Sequence, residues 1–211
     1  MTRVKICGIT TPEDAVAAAE AGAAAIGIVC WPGSPRFVEP ARARAIVRAL
    51  PPFVGAVGVF VNQVDEAEEV AADIGLAAVQ FHGDETAASY RGFPLPIIKA
   101  IAVRDESSVE EALAVPADVT VLLDADDPAK RGGTGRPVDW TIAAAIARRR
   151  RTILSGGLSA MNAAAAVAAV APYAIDVSSG IESAPGRKDL AKMRRLFAVL
   201  DRRLDGWAQE I

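Results

Sequence analysis

The amino-acid sequence predicts an α/β fold in which eight strands and eight helices close into a single (β/α)8 barrel over residues 1–211. Short apolar runs alternate with Ala-rich helical segments along the whole chain. Several runs are β-branched and continuously apolar, as parallel strands buried on both faces require. Strand–helix units recur every ~20 to 30 residues, with only short loops between them.

The runs are Val4–Cys7, Ala24–Cys30, Val54–Val61, Ala77–Phe81, Pro96–Ala102, Val119–Leu123, Thr152–Leu154 and Ala174–Val177. The first helix is predicted from a Thr11 cap, with Pro12 at its first position and Asp14 where a capping box places an acid. It ends near Gly22, a suitable C′ residue. Pro40 opens a second helix, to about Leu50, and Asp65 caps a third, to about Ile74 before Gly75. Asp84–Tyr90, Ser107–Leu113, Asp139–Arg149, Ser159–Val170 and Asp189–Leu204 complete the set. The competing architecture, an open doubly wound sheet, calls for a Gly-rich dinucleotide turn after its first strand. Cys7-Gly8-Ile9-Thr10 has no such pattern, and the chemically unusual residues follow the strands, as in a TIM barrel.

Hydrophobic residues make up 52% and charged residues 23% of the 211 positions, enough for one large core. The net charge of −3 counts against a nucleic-acid binder. The Arg-rich runs Arg148–Arg151 and Arg194–Arg203 read as solvated helix faces. Two cysteines, Cys7 and Cys30, are too few for a disulfide framework and suit a reducing compartment. No signal peptide is visible, and apolar stretches break before the ~18 residues of a membrane span. A cytoplasmic protein is expected.

The ends of the strands carry the chemistry. Cys7 ends the first, and a Pro- and Gly-rich loop with Ser34-Pro35-Arg36 follows the second. Gln80, His82, Gly83 and Asp84 lie at the end of the fourth. Asp124 and then Gly132-Gly133-Thr134-Gly135 follow the sixth, Ser155-Gly156-Gly157 the seventh, and Ser178-Ser179-Gly180 the eighth. Glycines there let backbone N–H groups approach an anion, and barrel phosphate sites recur at strands seven and eight. Gly156, Gly157, Ser179 and Gly180 are therefore the phosphate candidates. Each residue also admits a plainer reading: tight turns for the glycines, a small core hydrophobe for Cys7, a cap or loop hydrogen bond for Asp124, a turn hydrogen bond for His82, a solvated arginine for Arg36. As the only histidine, His82 excludes a multi-histidine metal site.

Taken together, Lys5-Ile6-Cys7-Gly8-Ile9-Thr10, Ser34-Pro35-Arg36, Gln80-Phe81-His82-Gly83-Asp84-Glu85, Leu122-Leu123-Asp124, Gly132-Gly133-Thr134-Gly135 with Asp139-Trp140, Leu154-Ser155-Gly156-Gly157-Leu158 and Asp176-Val177-Ser178-Ser179-Gly180-Ile181-Glu182 resemble the phosphoribosylanthranilate isomerase family in order and spacing. The resemblance covers nearly the whole chain. It implies a metal-free, cofactor-free enzyme of tryptophan biosynthesis that performs an Amadori rearrangement. It implies Cys7 as general base, Asp124 as general acid, Arg36 at the anthranilate end and the last two loops at the phosphate. Gln80, His82, Gly133 and Asp176 are the further substrate-contact candidates. Phe81 stands where the family often has Leu, and Cys30 with Trp31 where aromatic pairs are common; Cys30 is expected to alter packing beside the substrate. The related histidine-pathway isomerase would need Asp in place of Cys7, and a non-catalytic phosphometabolite-binding barrel would need neither Cys7 nor Asp124. A monomer and a homodimer are both compatible with the sequence.

The chemistry sets protonation demands. Asp124 must hold a proton, which burial at the barrel mouth favours. The Cys7 thiolate must be favoured, by Lys5, Arg36 or nearby N–H groups. Gly132–Gly135 is expected to act as a lid.

Overall fold

The computed structural model describes residues 2–125 and 138–201. The strands close into a barrel in chain order: β1 (Arg3–Cys7), β2 (Ala25–Val29), β3 (Gly55–Phe60), β4 (Ala78–Phe81), β5 (Ile97–Val103), β6 (Thr120–Ala125), β7 (Thr152–Leu154) and β8 (Ala174–Val177). All neighbours are parallel, and β8 returns to β1 with Asp176 beside Lys5 and Val177 beside Ile6. The helices are α1 (Pro12–Ala21), α2 (Pro40–Ala49), α3 (Val64–Ile74), α4 (Ser107–Ala114), α5 (Trp140–Ala147), α6 (Ala163–Val170) and α7 (Leu190–Asp201). The single closed barrel is the architecture that the alternating runs predict.

Local signals set several boundaries. The Thr11 hydroxyl accepts the Asp14 N–H and Pro12 opens α1, while Gly22 closes it at φ 106°. Asp139 caps α5 by accepting the N–H groups of Thr141 and Ile142. The predicted Asp65 cap is displaced: α3 begins at Val64 behind Gln63, which makes no side-chain cap bond.

Period-two alternation divides the core into two layers. Odd or even, one face of each strand meets the helices, as Val4, Ile6, Ile26, Val121, Leu123, Ile175 and Val177 do in the large cluster. The other face fills the barrel, where Ala100, Leu122, Ile153 and Ala174 form a small cluster with Ile98 against it. Two residues further along the same inner faces stand Asp124 and Asp176, above that apolar layer.

Two expectations fail for tertiary reasons. Asp84–Tyr90 forms turns, not a helix. Glu85 is drawn inward there: its carboxylate accepts the N–H groups of Gly83 and Asn62 and pairs with Lys99 Nζ at 2.8 Å. Arg150 is no solvated helix-face residue. It donates to the carbonyls of Ala112, Val115, Pro116 and Val119, closing the C-terminal end of α4. Also unforeseen are a 3-10 turn over Ser179–Ile181 and the hairpin β9 (Glu182–Ala184) and β10 (Arg187–Lys188). Among the described residues no helix is long and apolar enough to cross a membrane.

Arg150→Met strips four carbonyls of a charged donor. The expected loss is roughly 2–4 kcal/mol in urea unfolding. An unchanged unfolding midpoint would show that water replaces the guanidinium at no cost.

Candidate active site

A cleft of about 730 Å³, its open mouth included, lies inside the barrel at the C-terminal ends of the strands. It gathers Cys7, Arg36, Gln80, His82, Asp124, Gly156, Gly157, Asp176 and Ser179 from the sequence candidates. Trp31, Val59, Val61 and Ser178 also line it. Gly180 does not; a Cβ there would lie 2.0 Å from the Leu158 carbonyl oxygen, so this glycine lets the β8 turn press on the β7 loop. Gly133, with the rest of Gly132–Gly135, lies outside the described residues. Cys30 packs against the core, its thiol pushed up to about 12 by burial, and takes no part in the cleft wall.

One end of the cleft is formed by the glycine turn that follows β7. Gly156 and Gly157 take φ values of 81° and 62°, consecutive left-handed conformations that only glycine adopts easily. The turn is fixed by Asn162, whose side chain accepts the Ser159 N–H and donates to the Gly157 carbonyl. Ser178 and Ser179, at the end of β8, line the same cleft.

Cys7 stands at the seam between β1 and β8. Lys5 projects from the same face of β1 and pairs with Asp176 Oδ1 at 2.9 Å; both are nearly sealed from solvent. Burial opposes the Lys5 charge, but Asp176 and Cys7 outweigh it and hold Lys5 above the ordinary lysine range. The Cys7 thiol is pushed up, burial being the largest cause; Lys5 and Lys188 pull it down and Asp176 adds to the rise. The expected thiolate preference is thus corrected: burial outweighs the nearby cations. Gly27, register partner of Cys7, leaves room for both side chains, since a Cβ there would lie 2.7 Å from Sγ and 3.0 Å from Lys5 Nζ.

Arg36 is likewise not solvated. Its Nε and one terminal nitrogen grip both oxygens of Glu182 at 2.9 and 2.7 Å. Lys188 Nζ reaches the same carboxylate at 2.8 Å. Burial would raise Glu182, yet Arg36 and Lys188 bring it below the usual carboxylate range. Gly8, at φ 73°, makes way for Arg36, whose Cδ would lie 2.5 Å from a Cβ. Sequence reasoning missed Gly27, Glu182 and Lys188 as parts of the site. Glu182 was visible only as the last residue of a motif, and nothing in the sequence pairs it with Arg36.

Across the barrel, Asp124 Oδ1 accepts the Ala125 N–H at 2.9 Å. Its other oxygen lies 3.5 Å from His82 Nε2. His82 Nδ1 is 2.9 Å from the Gln80 amide nitrogen. Asp124 and Cys7 are separated around the wall by β7 and β8, so they address a ligand from different sides. No cluster of three or more His, Cys, Asp or Glu placed to hold a metal occurs among the described residues.

Glycine-to-alanine changes inside strands usually stabilise. Gly27→Ala is expected to do the reverse for function: the displaced thiol lowers kcat by at least about tenfold, ~1.4 kcal/mol of transition-state stabilisation, in a folded protein. Steady-state rates and the kinetics of Cys7 alkylation check this together. Wild-type values for both would mean that the strand gives way and the thiol stays.

Known proteins resemble this chain along nearly its whole length. Residues 4–199 match the family model for N-(5'phosphoribosyl)anthranilate (PRA) isomerase. The N-(5'-phosphoribosyl)anthranilate isomerases of Citrifermentans bemidjiense and Pelobacter propionicus are 51% and 48% identical, over 94% of this chain and 96% and 95% of theirs. The crystal structure of phosphoribosyl anthranilate isomerase from Thermotoga maritima superposes with a TM-score of 0.89 at 40% identity, covering 96% of this chain and all (100%) of that one. A phosphoribosyl anthranilate isomerase in complex with reduced 1-(o-carboxyphenylamino)-1-deoxyribulose 5-phosphate is 39% identical, with a TM-score of 0.86 and coverage of 96% and 100%. Matched along nearly its whole length in both sequence and fold, the chain belongs to the N-(5'-phosphoribosyl)anthranilate isomerase family.

Proposed function

We infer that this barrel converts N-(5-phosphoribosyl)anthranilate to 1-(2-carboxyphenylamino)-1-deoxyribulose 5-phosphate, with Cys7 as general base and Asp124 as general acid. The reaction is an aldose–ketose isomerisation of tryptophan biosynthesis. One observation carries the assignment of roles: a partly buried thiol and a carboxylate enter one cleft from separate sides, with a turn of two left-handed glycines in the same wall.

The phosphate anchors at Gly156, Gly157 and Ser179, with Gly180 behind them. Arg36 meets the anthranilate carboxylate with the part of its fork that Glu182 leaves open. Gln80, His82, Asp176 and Gly133 complete the contacts. Asp124 gives a proton to the ring oxygen, the C1–O bond breaks, and the ring opens to a protonated Schiff base. The Cys7 thiolate takes the C2 proton. The C–H electron pair becomes the C1–C2 double bond, and the iminium electrons return to nitrogen. The resulting enolamine becomes the aminoketose when its O2 proton leaves and C1 gains one. The chain acts in the cytoplasm on this small phosphorylated substrate, as a monomer or a homodimer, with no cofactor, nucleic acid or membrane involved.

Substrate generated in situ loses its anthranilate-type fluorescence as it isomerises. Wild-type protein is expected to accelerate the decay. Cys7→Ser and Asp124→Asn should each lower kcat by about 10²–10⁴-fold while binding is kept. Equal decay with both variants removes the pair from the mechanism. No decay with folded wild-type protein moves the substrate to the histidine-pathway analogue or leaves a binding-only barrel.

A base whose pKa is raised needs a higher pH to ionise. The rate kcat/KM is therefore expected to climb into the alkaline range, with its midpoint above that of an ordinary thiol. Lys5→Met removes the nearest cation and should move that limb further up. A limb that stays in place would free Lys5 from any part in Cys7 ionisation.

A further inference from the structure

We propose that Gln80 and His82 form a positioning relay for Asp124: Gln80 fixes the neutral His82 tautomer with its proton on Nε2, and that N–H stabilises Asp124 Oδ2 as the carboxyl gives up its proton. The proposal rests on Asp124 as the acid and adds how its charge is managed.

The relay is built by strand geometry. Gln80 and His82 are two residues apart, so they leave β4 on the same inner face. Asp124 belongs to β6, and β5 runs between them. On its inner face β5 carries Ala100, and in the same parity Ala102, which is the register partner of Asp124. These small side chains leave the space across which an imidazole on one strand reaches a carboxylate two strands away. Gln80 is buried, and the imidazole and the carboxylate are only 16% and 9% exposed. Water is therefore a poor competitor for these contacts.

The protonation pattern follows from the pairings. The Gln80 amide nitrogen, which can only donate, lies 2.9 Å from Nδ1 of His82, so in the relay Nδ1 is the acceptor and carries no proton. A neutral imidazole then keeps its single proton on Nε2, the atom 3.5 Å from Asp124 Oδ2. Rotating the amide would place its oxygen against an Nδ1–H and turn the Nε2 lone pair toward Oδ2, a contact that becomes repulsive once the carboxyl has given up its proton. Asp124 Oδ1 already accepts the Ala125 N–H. With Nε2–H on Oδ2, each oxygen has one fixed donor when the acid proton moves to the substrate. The 3.5 Å separation closes to hydrogen-bond length as charge appears on Oδ2. Gln80 Oε1 is buried and has no donor among the described residues, which leaves it to a ligand hydroxyl.

The chain holds one histidine, so its imidazole can be read without assignment. In protein labelled with ¹⁵N-histidine, the two-bond ¹H–¹⁵N spectrum at neutral pH should show one ring, with a pyrrole-type Nε2 and a pyridine-type Nδ1. A pyrrole-type Nδ1, or an average of both forms, overturns the relay. Gln80→Glu offers Nδ1 an acceptor and should move the proton there, lowering kcat about tenfold with KM within about threefold. The Gln amide nitrogen overlays Nε2 of histidine and that of Asn overlays Nδ1. His82→Asn should therefore lower kcat by about 10–10²-fold, and His82→Gln should recover most of it. Equal loss in both His82 variants, or loss expressed only in KM, reduces His82 to packing or substrate contact. An Asp124→Asn variant that keeps its rate would instead remove the acid role itself, which separates failure of that reading from failure of the relay.

Discussion

The Lys5–Asp176 pair is the interaction on which the catalytic rim rests. It joins the first strand to the last, between register partners, at the seam where the barrel closes. A buried pair is expensive to form, and removing one partner costs about 3–5 kcal/mol because the other charge is left without compensation. The pair therefore ties barrel closure to the electrostatics directly beneath Cys7. Lys5 lowers the thiol and Asp176 raises it, so the neutralised pair supplies a weaker field than a lone ammonium would. The opposing charge is the price of keeping a lysine in the barrel interior.

A second charged group locks the rim from outside. Glu182 lies on a hairpin that leaves the barrel after β8 and returns over the end of β1. It receives Arg36 from the loop after β2 and Lys188 from its own hairpin, and Lys188 Nζ also donates to the Cys7 carbonyl. The loops that follow β2 and β8 are thus fastened to the backbone of Cys7. Glycine at position 8 is a condition of this closure, because any side chain there would strike Arg36.

The strands were legible because a buried parallel strand needs an unbroken apolar run, and its length needs no tertiary information. Thr152–Leu154 and Ala174–Val177 keep their sequence-derived limits. Asp84–Tyr90 was not legible: helix propensity there loses to Glu85, whose partners sit on β3's loop and on β5. The same holds for Arg150, whose four carbonyls belong to a distant helix end. In the site, residue types and their strand-end positions identified the cleft wall. Their partners stayed hidden, because Gly27 opposite Cys7 and Glu182 opposite Arg36 are products of register and of a hairpin with no strong turn pattern. The protonation bias of Cys7 is a property of burial in three dimensions, which a motif does not carry.

The proposed acid and base face opposite problems, and the barrel solves them on separate strands. Cys7 must lose a proton in a site that resists charge, so its neighbours include the ammonium groups of Lys5 and Lys188. In its proposed role Asp124 gives a proton to the substrate, and a permanent cation at contact distance would work against that. The group placed there is an imidazole, which can donate a hydrogen bond without bringing a fixed charge. Beneath both, Ala100, Leu122, Ile153 and Ala174 form an apolar floor. The inner alternation of each strand, apolar low in the barrel and polar at its end, therefore does two things with one periodicity. It builds a dry core, and it sets the acid and the base apart around one substrate-sized space.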